Sequence, residues 1–479
     1  MHLNWRRIDF EPEASAVFDE LFASSTHGFW LDSSEKGGGR SRFSLMGDDR
    51  GPWAEWTTYR VGDGVVTTSG GAATRTGRSF FDHLGEQLAR RSMPAPVGLP
   101  FDFNLGYVGY LGYELKAETG GSRVHRARTP DAVLLFVDRV VVIDHLESVT
   151  YLLCLGEDPD DPAAHAWLDH VGERLRRLGE AAEHTSGHAS TGLPDTTGMH
   201  LRHSRAAYIT KINECIEEIR DGESYEICLT NMAEVAVPPD PVRTYRRLRT
   251  LSPVPYGAFL RYPGLTVLSS SPERFLKVEA GGRVESRPIK GTRPRGSDEV
   301  SDGRLEEELR TSVKERAENL MIVDLLRNDL NRVCLTGSVT VPRIFEIESY
   351  SSVHHMVSTV TGRLRPGLTA VDCVRSAFPG GSMTGAPKLR TMEILDRVEG
   401  GPRGVYSGAL GWFALSGAAD LSIVIRTLVV TDSTAAFGIG GAITAMSDPE
   451  AEFEETMVKS RATMWAISAS EEERGERRE

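Results

Sequence analysis

Residues 313–331 read VKERAENLMIVDLLRNDLN, and this stretch predicts a core element of the fold more directly than any other. Apolar side chains run from Leu320 to Leu326 almost without a break, so a helix here is apolar on nearly every side and is expected to be buried. Glu315 and Glu318 are three residues apart and therefore share one face of that helix. A buried carboxylate is costly unless it is paired or bound to a metal. The stretch thus predicts a buried helix that carries two acidic side chains towards a partner.

A second pair of glutamates with the same spacing, Glu452 and Glu455, lies in a predicted C-terminal helix that continues through Lys459. Four carboxylates without a matching set of Cys or His residues favour a hard cation with oxygen ligands. Mg²⁺ fits best, because it binds one or two carboxylates and completes its shell with water and an anionic substrate. Salt bridges to residues near in sequence, namely Lys314, Arg316 and Lys459, explain the same glutamates equally well. The residues alone leave both interpretations open.

Lys290 lies in the hexapeptide RPIKGT, residues 287–292, where a Pro-x-x-Gly frame can aim its amine. The amine is a nucleophile only when it is deprotonated, which burial or a nearby positive charge can bring about. Most lysines are solvated surface residues. The hexapeptide alone therefore does not establish a catalytic lysine, and its meaning depends on the motifs around it.

Seven motifs follow one another in order between Ser204 and Ser468. They are SPERF (271–275), PIKGT (288–292), RAENLMIVDL (316–325), RNDL (327–330), VHHMVS (353–358), FPGGSMTGAPK (378–388) and IRT (425–427). Together they resemble the chorismate-utilising enzymes, a family that includes anthranilate synthase and aminodeoxychorismate synthase. The amino-terminal segments FWLDSS (29–34) and GYVGYLGYELK (106–116) resemble the same family.

The resemblance implies a core of two β-sheets flanked by helices. Strand-like and helical patterns occur in mixed order along the chain, which is typical of an α+β or mixed α/β fold and not of a regular βαβ alternation. Strands are predicted at 133–143, 149–155, 404–413, 421–430 and 435–444, and helices at 164–182 and 205–220.

The segment 184–200 is rich in His, Thr, Ser and Gly and lacks periodicity, so it is interpreted as a linker. It separates an amino-terminal region, 1–183, from a catalytic region, 201–470. A charged tail, 471–479, follows.

The resemblance also implies the site. Chorismate is the expected substrate and Mg²⁺ the expected cofactor, with Glu318 and Glu455 as metal ligands and Glu315 and Glu452 behind them. By matching position, the substrate is expected to contact His355, Ser382, Trp412, Arg426, Gly440, Gly441 and Lys459.

Three of these assignments have simpler alternatives. His355 could be a satisfied core histidine. Arg426 interrupts the apolar run 421–430 and could be a structural ion pair instead of an anion-binding group. The glycine-rich segment 437–442, which contains Gly440 and Gly441, is predicted to be a turn, either an anion seat of exposed amides or a plain hairpin.

Within the family, a lysine in the Pro-Ile-x-Gly-Thr slot is similar to the aminodeoxychorismate synthases, whereas anthranilate synthases carry alanine there. The implied reaction is attack of neutral Lys290 on C2 of chorismate as the C4 hydroxyl leaves, with Glu273 as the general acid. Ammonia then enters at C4 and expels the lysine, which gives 4-amino-4-deoxychorismate for p-aminobenzoate synthesis. Glu226 stands where water-adding relatives place a lysine and many ammonia-using relatives a glutamine, so isochorismate synthesis is disfavoured.

Two other functions stay open. One is another ammonia-dependent chorismate enzyme, such as an anthranilate or aminodeoxyisochorismate synthase. The other is a catalytically silent ligand-sensing subunit, because Leu31, Asp32 and Ser33 resemble the segment at which relatives bind tryptophan. Retention of the expected catalytic and metal-binding residues disfavours a silent subunit; these are Lys290, Glu273, Glu318 and Glu455.

The source of ammonia is expected to be a separate glutamine amidotransferase subunit. A cysteine-type amidotransferase carries Gly-x-Cys-x-Gly, and none of the five cysteines has these neighbours. The cysteines also lack CxxC spacing, which is typical of reduced, cytoplasmic thiols.

The composition is that of an ordinary soluble protein, with 40% hydrophobic and 26% charged residues in 479. A net charge of −13 disfavours nucleic acid and anionic membranes as partners. The N-terminus has no apolar signal core, and no run of eighteen apolar residues occurs, so a cytoplasmic protein without a membrane span is expected.

Overall fold

The computed structural model describes residues 1–35, 41–180, 199–236, 238–350 and 353–475. Within these ranges the chain forms twenty-four strands and ten α-helices. The strands are β1 (His2–Ile8), β2 (Gly28–Asp32), β3 (Phe43–Asp48), β4 (Glu55–Arg60), β5 (Gly64–Ser69), β6 (Ala72–Thr76), β7 (Gly106–Leu111), β8 (Ala132–Val137), β9 (Arg139–Asp144), β10 (Val149–Gly156), β11 (Met199–Leu201), β12 (Glu226–Val235), β13 (Tyr256–Tyr262), β14 (Leu265–Ser271), β15 (Arg274–Val278), β16 (Arg283–Arg287), β17 (Ile289–Pro294), β18 (Thr340–Ser349), β19 (Val353–Arg363), β20 (Gly385–Ala386), β21 (Ala409–Ala414), β22 (Ala419–Ile423), β23 (Thr427–Thr431) and β24 (Ala435–Ile443).

The helices are α1 (Ala14–Leu21), α2 (Phe80–Arg90), α3 (Pro162–Glu180), α4 (Arg205–Arg220), α5 (Pro241–Leu251), α6 (Glu299–Thr311), α7 (Val313–Asn331), α8 (Ala370–Ala377), α9 (Lys388–Glu399) and α10 (Pro449–Gly475). Two short 3₁₀ turns cover Tyr113–Glu118 and Gly381–Met383. No helix of the described residues is long and apolar enough to cross a membrane.

Two sheets of twelve strands form the core, as predicted. The first has the order β1-β10-β9-β3-β2-β13-β14-β23-β24-β12-β11, with β20 paired to β12. The second has the order β17-β19-β16-β15-β22-β21-β7-β8-β4-β5-β6, with β18 paired to β19. Antiparallel pairing joins all these neighbours.

The sheets pack face to face, and helices cover the outer face of the first sheet. Strand β9 shows why: Val140 and Val142 join the core between the sheets, whereas Val141 and Ile143 join a second core under helices α1, α3 and α5. Side chains alternate between the faces of a strand, so an uninterrupted valine run is apolar on both sides. Such a strand must be covered on both faces.

The amino-terminal and catalytic regions share both sheets. Strand β2 pairs with β13 in the first sheet, and β7 pairs with β21 in the second. The boundary at 184–200 therefore divides the sequence but not the core. Residues 199 and 200 of the predicted linker belong to strand β11, and 181–198 lie outside the described residues. At the other end, α10 continues past the expected start of the tail to Gly475.

Two predicted strands are wrong in one respect, because each is a pair of strands in different sheets. The run 133–143 breaks at Asp138, with β8 in the second sheet and β9 in the first. The run 421–430 breaks between Ile423 and Thr427, with β22 in the second sheet and β23 in the first. Strands that bend from one sheet to the other in this way make the corners of packed sheets. Periodicity does not show the break, because apolar residues continue through it.

Other predicted elements are confirmed with small changes. Helix α4 has the predicted bounds, and β10 and β24 match 149–155 and 435–444 to within a residue. The strand predicted at 404–413 begins only at Ala409. Helix α7 is buried along one face and not all round, since Leu320 is 51% exposed.

Candidate active site

Lys290 lies on an irregular part of an edge strand. Ile289 pairs with Val357 and Thr292 pairs with His355. Two residues of β17, Lys290 and Gly291, therefore lie opposite the single residue of β19 between those pairs. This is a β-bulge, a feature that changes the direction of a side chain. Gly291 completes it with a φ of +86°, a conformation that favours glycine. The Pro-x-x-Gly frame therefore does aim the lysine, through a bulge and a left-handed residue.

The amine of Lys290 donates a hydrogen bond to Oε1 of Glu226, at the start of β12 in the other sheet. The lysine side chain is 10% exposed and that of Glu226 is fully buried. Burial alone lowers the pKa of Lys290, but the carboxylates of Glu226 and Glu318 outweigh burial and raise the pKa well above its usual value. The lysine is therefore held as an ammonium in this arrangement.

Glu273 lies where the chain crosses from β14 in the first sheet to β15 in the second. Burial raises the pKa of this carboxyl to about 7, while the Ser382 hydroxyl, Lys290 and the N–H of Ile289 oppose that rise. Glu273 and Ser382 line one small cavity together with the glycines of FPGGSM. A Cβ on Gly381 would lie 2.7 Å from Leu325 Cδ2 of α7, so glycine permits the close packing of this loop.

Arg426 lies at a second crossing, next to the first. Strand β14 pairs with β23 and β15 pairs with β22, so the β22–β23 link that carries Arg426 runs beside the β14–β15 link that carries Glu273. Arg426 has a φ of +49°, which is uncommon for a residue with a side chain. Its guanidinium forms no hydrogen bond or ion pair with the described residues. Burial lowers its pKa, and Glu273 is the carboxylate that opposes this. The structure thus favours anion binding over the alternative of a structural ion pair.

The two Glu-x-x-Glu helices converge, as the metal hypothesis requires. The ammonium of Lys314 on α7 lies 3.0 Å from Oε1 of Glu452 on α10 and 3.9 Å from Oε1 of Glu318. Glu318 and Glu452 are buried, whereas Glu455 is half exposed and pairs with Lys459 at 2.7 Å. The salt bridges predicted for Lys314 and Lys459 therefore exist at the place proposed for the cation, whereas Arg316 forms none with these glutamates and instead packs over the Phe345 ring.

The carboxylates fit Mg²⁺ in one specific way. Oε1 of Glu318 is buried and has no hydrogen-bond partner, and burial raises the pKa of this carboxyl to about 7. Burial also raises the pKa of Glu455, but Lys459 and Lys314 outweigh it and lower that pKa overall. Among the described residues no three His, Cys, Asp or Glu side chains are grouped closely enough to hold a metal by themselves. A cation held by two carboxylates and completed by substrate and water agrees with this set.

His355 lies in the wall beside the lysine. Its Nδ1 is 2.8 Å from the Thr292 hydroxyl, and its ring packs against Tyr350. Burial and the nearby Arg426 lower its pKa to about 3, so the imidazole is neutral. His355 therefore has a hydrogen-bond partner, as a structural core histidine would, and it also lies beside the bulge that carries Lys290.

The glycine-rich segment 437–442 is not the turn that its glycines predicted, whereas the strand predicted at 435–444 is confirmed. It is the middle of β24, with Gly440 opposite Thr230 and Gly441 opposite Leu229. A Cβ on Gly441 would lie 3.5 Å from Oε2 of Glu452 and 3.9 Å from Nζ of Lys459. Gly441 therefore leaves room beside the carboxylate cluster, although its amide belongs to a strand.

Trp412 is not brought to this cluster. It lines a separate cavity of about 460 Å³ between the sheets, together with Leu31, Asp32 and Ser33. The Trp412 ring contacts Phe103 edge-on. The carboxylate of Asp32 accepts a hydrogen bond of 2.6 Å from Arg249, so it already has a cationic partner inside the protein. Trp412, which was predicted to contact the substrate, thus lines the same cavity as the predicted effector segment.

Two contacts of the site were not predicted from the sequence. Glu226 was considered only as a marker of the family branch, and its contact with Lys290 joins residues 64 apart. The only sequence signal was a carboxylate at the start of the apolar strand run EICL. Lys314 was predicted as a salt-bridge partner, but not as a residue that joins the two helices.

Comparison with known proteins shows the family of this chain and agrees with its fold. A family model described as chorismate binding enzyme matches residues 47–464, so this chain belongs to the chorismate binding enzymes. An aminodeoxychorismate synthase of Streptomyces pristinaespiralis is 50% identical over 474 residues, which cover 97% of this chain and 65% of that protein. An anthranilate synthase component 1 of Streptomyces coelicolor is 37% identical, covering 97% of this chain and 88% of that protein.

A solved structure shares the fold. Anthranilate synthase component I from Streptococcus pneumoniae TIGR4 superposes with a TM-score of 0.73 at 26% identity, covering 88% of this chain and 92% of that one. The chain spans slightly less than two thirds of the length of the two Streptomyces aminodeoxychorismate synthases that it matches.

Proposed function

We propose that this chain converts chorismate and ammonia to 4-amino-4-deoxychorismate, as the aminating part of an aminodeoxychorismate synthase. The observation that carries the proposal is Lys290, which a β-bulge directs into a buried cluster that also contains Glu273 and Glu318. Similarity to proteins named aminodeoxychorismate synthase, at 50% identity, supports it. Similarity to anthranilate synthases keeps the second candidate in view, in which ammonia attacks the ring directly.

Lys290 and Glu273 divide the first half of the reaction between them. Once the lysine has lost a proton, its nitrogen forms a bond to C2, the ring double bond shifts, and the C4–O bond breaks. Hydroxide is a poor leaving group, so a general acid must protonate it. A carboxyl with a pKa of about 7 holds its proton at neutral pH, which suits Glu273 for this task. Water leaves and the lysine is bound to C2 as a secondary ammonium.

Ammonia completes the reaction. It attacks C4, the double bond shifts back, and the C2–N bond to Lys290 breaks with the lysine leaving as a neutral amine. Glu273, ionised by the first step, takes a proton from the new C4 ammonium. The enolpyruvyl group is retained. Over both halves of the reaction, one ammonia is consumed and one water is released for each chorismate converted.

Substrate binding is assigned to the cations around the cluster. Arg426, unpaired within the described residues, is a partner for a substrate carboxylate. Glu318 and Glu455 would hold Mg²⁺, with the second substrate carboxylate as a further ligand. When bound, Mg²⁺ supplies Lewis-acid withdrawal of electron density from the ring. Glu452, tied to Lys314 and to Ser447, would fix the helix geometry behind those ligands.

A glutamine amidotransferase is proposed as the source of ammonia. The five cysteines are all buried and free, and burial raises the pKa of every one of them, so none resembles an activated nucleophile. The chain is therefore expected to use ammonia itself and glutamine only with a partner.

Product analysis tests the proposal. Purified chain is incubated with chorismate, Mg²⁺ and an ammonium salt, and products are separated and weighed by mass spectrometry. We expect 4-amino-4-deoxychorismate from the parent and strong loss with Lys290→Arg, because a guanidinium stays protonated. Anthranilate as the main product, or equal rates for parent and Lys290→Arg, would overturn the covalent assignment.

A further inference from the structure

The contact between Lys290 and Glu226 poses a chemical problem for the proposed reaction. The lysine must attack as a neutral amine, yet the structure holds it as an ammonium against a carboxylate. The other side chains that face it do not contact its amine: Glu318 on α7, Glu273 at the β14–β15 crossing and Glu455 on α10 act on it only through space, as does Cys228 on β12. Among the residues that the structure describes, only Glu226 accepts a hydrogen bond from the Lys290 amine, so a proton can pass directly to it.

We infer that Glu226 is the base of this reaction: it takes the proton from Lys290 before attack and returns it when ammonia expels the lysine. The inference rests on the proposed function, because it concerns the same nucleophile. It assigns a role to a position that the family resemblance left without one.

Geometry singles out Glu226 from the neighbouring carboxylates. Its Oε1 is already the hydrogen-bond acceptor of the Lys290 amine, so the proton moves along an existing hydrogen bond. Its Oε2 is buried without a partner, so no fixed donor stabilises the ionised form at that atom. Glu273 cannot accept this proton without losing its role as the acid that protonates the departing hydroxyl. Glu318 has no hydrogen bond to the lysine.

Burial makes the neutral pair accessible. Glu226 is fully buried and the side chain of Lys290 is 10% exposed, so the two charges are shielded from bulk water and rely on each other. Transfer of one proton within the pair removes both charges at once, without moving either group into solvent. A glutamine at this position could accept the hydrogen bond of the lysine but not its proton.

The proton balance closes over one turnover. Glu226 gains a proton when Lys290 becomes neutral, and the lysine then bonds to C2 while Glu273 gives its proton to the departing C4 hydroxyl. After ammonia attacks C4, Lys290 leaves as a neutral amine and takes the proton back from Glu226. Glu273 is restored by the proton from the C4 ammonium. No oxidant, reductant or further reactant is needed.

The test is the pH dependence of adduct formation in Glu226→Gln. Chain is mixed with chorismate and Mg²⁺ without ammonia, and the mass gain of one chorismate less one water is timed at pH 6.5 and above. We expect the parent rate not to rise with pH above neutrality. Both proteins share the loss of the Glu273 acid form, so the rate of the variant is divided by that of the parent at each pH. This ratio should be small at neutral pH and rise about tenfold per pH unit until the lysine itself has titrated, because in the variant its proton must leave to solvent.

Glu234→Gln is the matched control, since Glu234 lies on the same strand and pairs with surface Arg128. It should match the parent at every pH. A structural role for Glu226 would instead lower the rate by a constant factor at every pH, and an unchanged rate in Glu226→Gln would likewise overturn the inference. If the parent forms no adduct while it still makes product, the proposed function fails first and the inference fails with it.

A second measurement, made on the parent protein, tests the inference even if Glu226→Gln does not fold. Infrared difference spectra of the parent, taken before and after the adduct forms, should contain a new protonated carboxyl band that moves in Glu226→Asp. Circular dichroism and thermal unfolding report folding of each variant. If no new protonated carboxyl band arises while the adduct is present, Glu226 is not the proton acceptor.

Discussion

Gly291→Ala is the substitution whose cost can be worked out most fully from the structure. Gly291 has a φ of +86°, where a residue with a Cβ is strained by about 1–2 kcal/mol. A Cβ would also lie 2.8 Å from Leu309 Cδ1 and 2.9 Å from Oε2 of Glu315. Crowding of this kind adds about 1–3 kcal/mol. The expected loss in free energy of unfolding is therefore about 2–5 kcal/mol.

Gly337→Ala separates the two terms. Gly337 has a φ of +78°, but a Cβ there meets no atom within 4 Å. It should cost only the conformational strain, about 1–2 kcal/mol, and leave activity unchanged. Gly291→Ala should also lower kcat by about 100-fold, because relief of the collision moves the bulge that directs Lys290, and a displacement of about 1 Å can have that effect.

Urea denaturation and aminodeoxychorismate formation, measured on both variants, check this reasoning. Equal stability losses in Gly291→Ala and Gly337→Ala would show that the bulge relaxes without strain. Parent activity in Gly291→Ala would refute the idea that the bulge geometry aims the lysine.

Three further predictions concern the cation, the nitrogen source and the acid. Chelation with EDTA should abolish product formation and Mg²⁺ restore it, and Glu318→Gln and Glu455→Gln should each lower activity by about 100-fold with unchanged circular dichroism; full activity of both in chelator would remove the metal assignment. The chain alone should use ammonium salts but release no glutamate from glutamine, so glutaminase activity in a pure preparation would contradict the proposed partner. Because burial raises the pKa of Glu273 to about 7, its acid form is present below that pH and lost above it. Adduct formation in the parent should therefore decline above about pH 7, and this decline should be absent from the residual activity of Glu273→Gln; a parent profile that rises through pH 7 would show that Glu273 is not the acid.

Local sequence patterns predicted those helices and strands that one continuous run of residues forms. Helix α4 and strands β10 and β24 follow from apolar spacing and flanking turn residues, and the two-sheet fold followed from the ordered motifs. The crossings at Asp138 and Arg426 could not be predicted this way. An apolar strand that bends from one sheet to the other has the same residues as one that continues, and only the pairing partners distinguish them.

The sequence predicted several residues that lie together in the candidate site, but it did not predict their contacts. The structure brings Lys290, Glu273 and Glu318 together, as the resemblance implies, because β17, the β14–β15 crossing and α7 meet there. The pairing of Lys290 with Glu226 depends on two edges of different sheets and has no local signal. Trp412 was assigned to the substrate site by its matching position in the family. Its side chain instead lines a cavity between the two packed sheets, which the sequence alone does not reveal.

The sharing of both sheets by the two sequence regions has a consequence for fragments of this chain. Fragments cut after residue 183 would divide one hydrogen-bonded pair of strands in each sheet, β2 with β13 in the first and β7 with β21 in the second. If the two pieces separate, each has an unpaired strand edge in both sheets, and such an edge is a site of aggregation. Nicked chain should therefore copurify as a complex, whereas either piece produced alone should aggregate. The two sequence regions are therefore expected to fold as one cooperative unit and not as two independent domains.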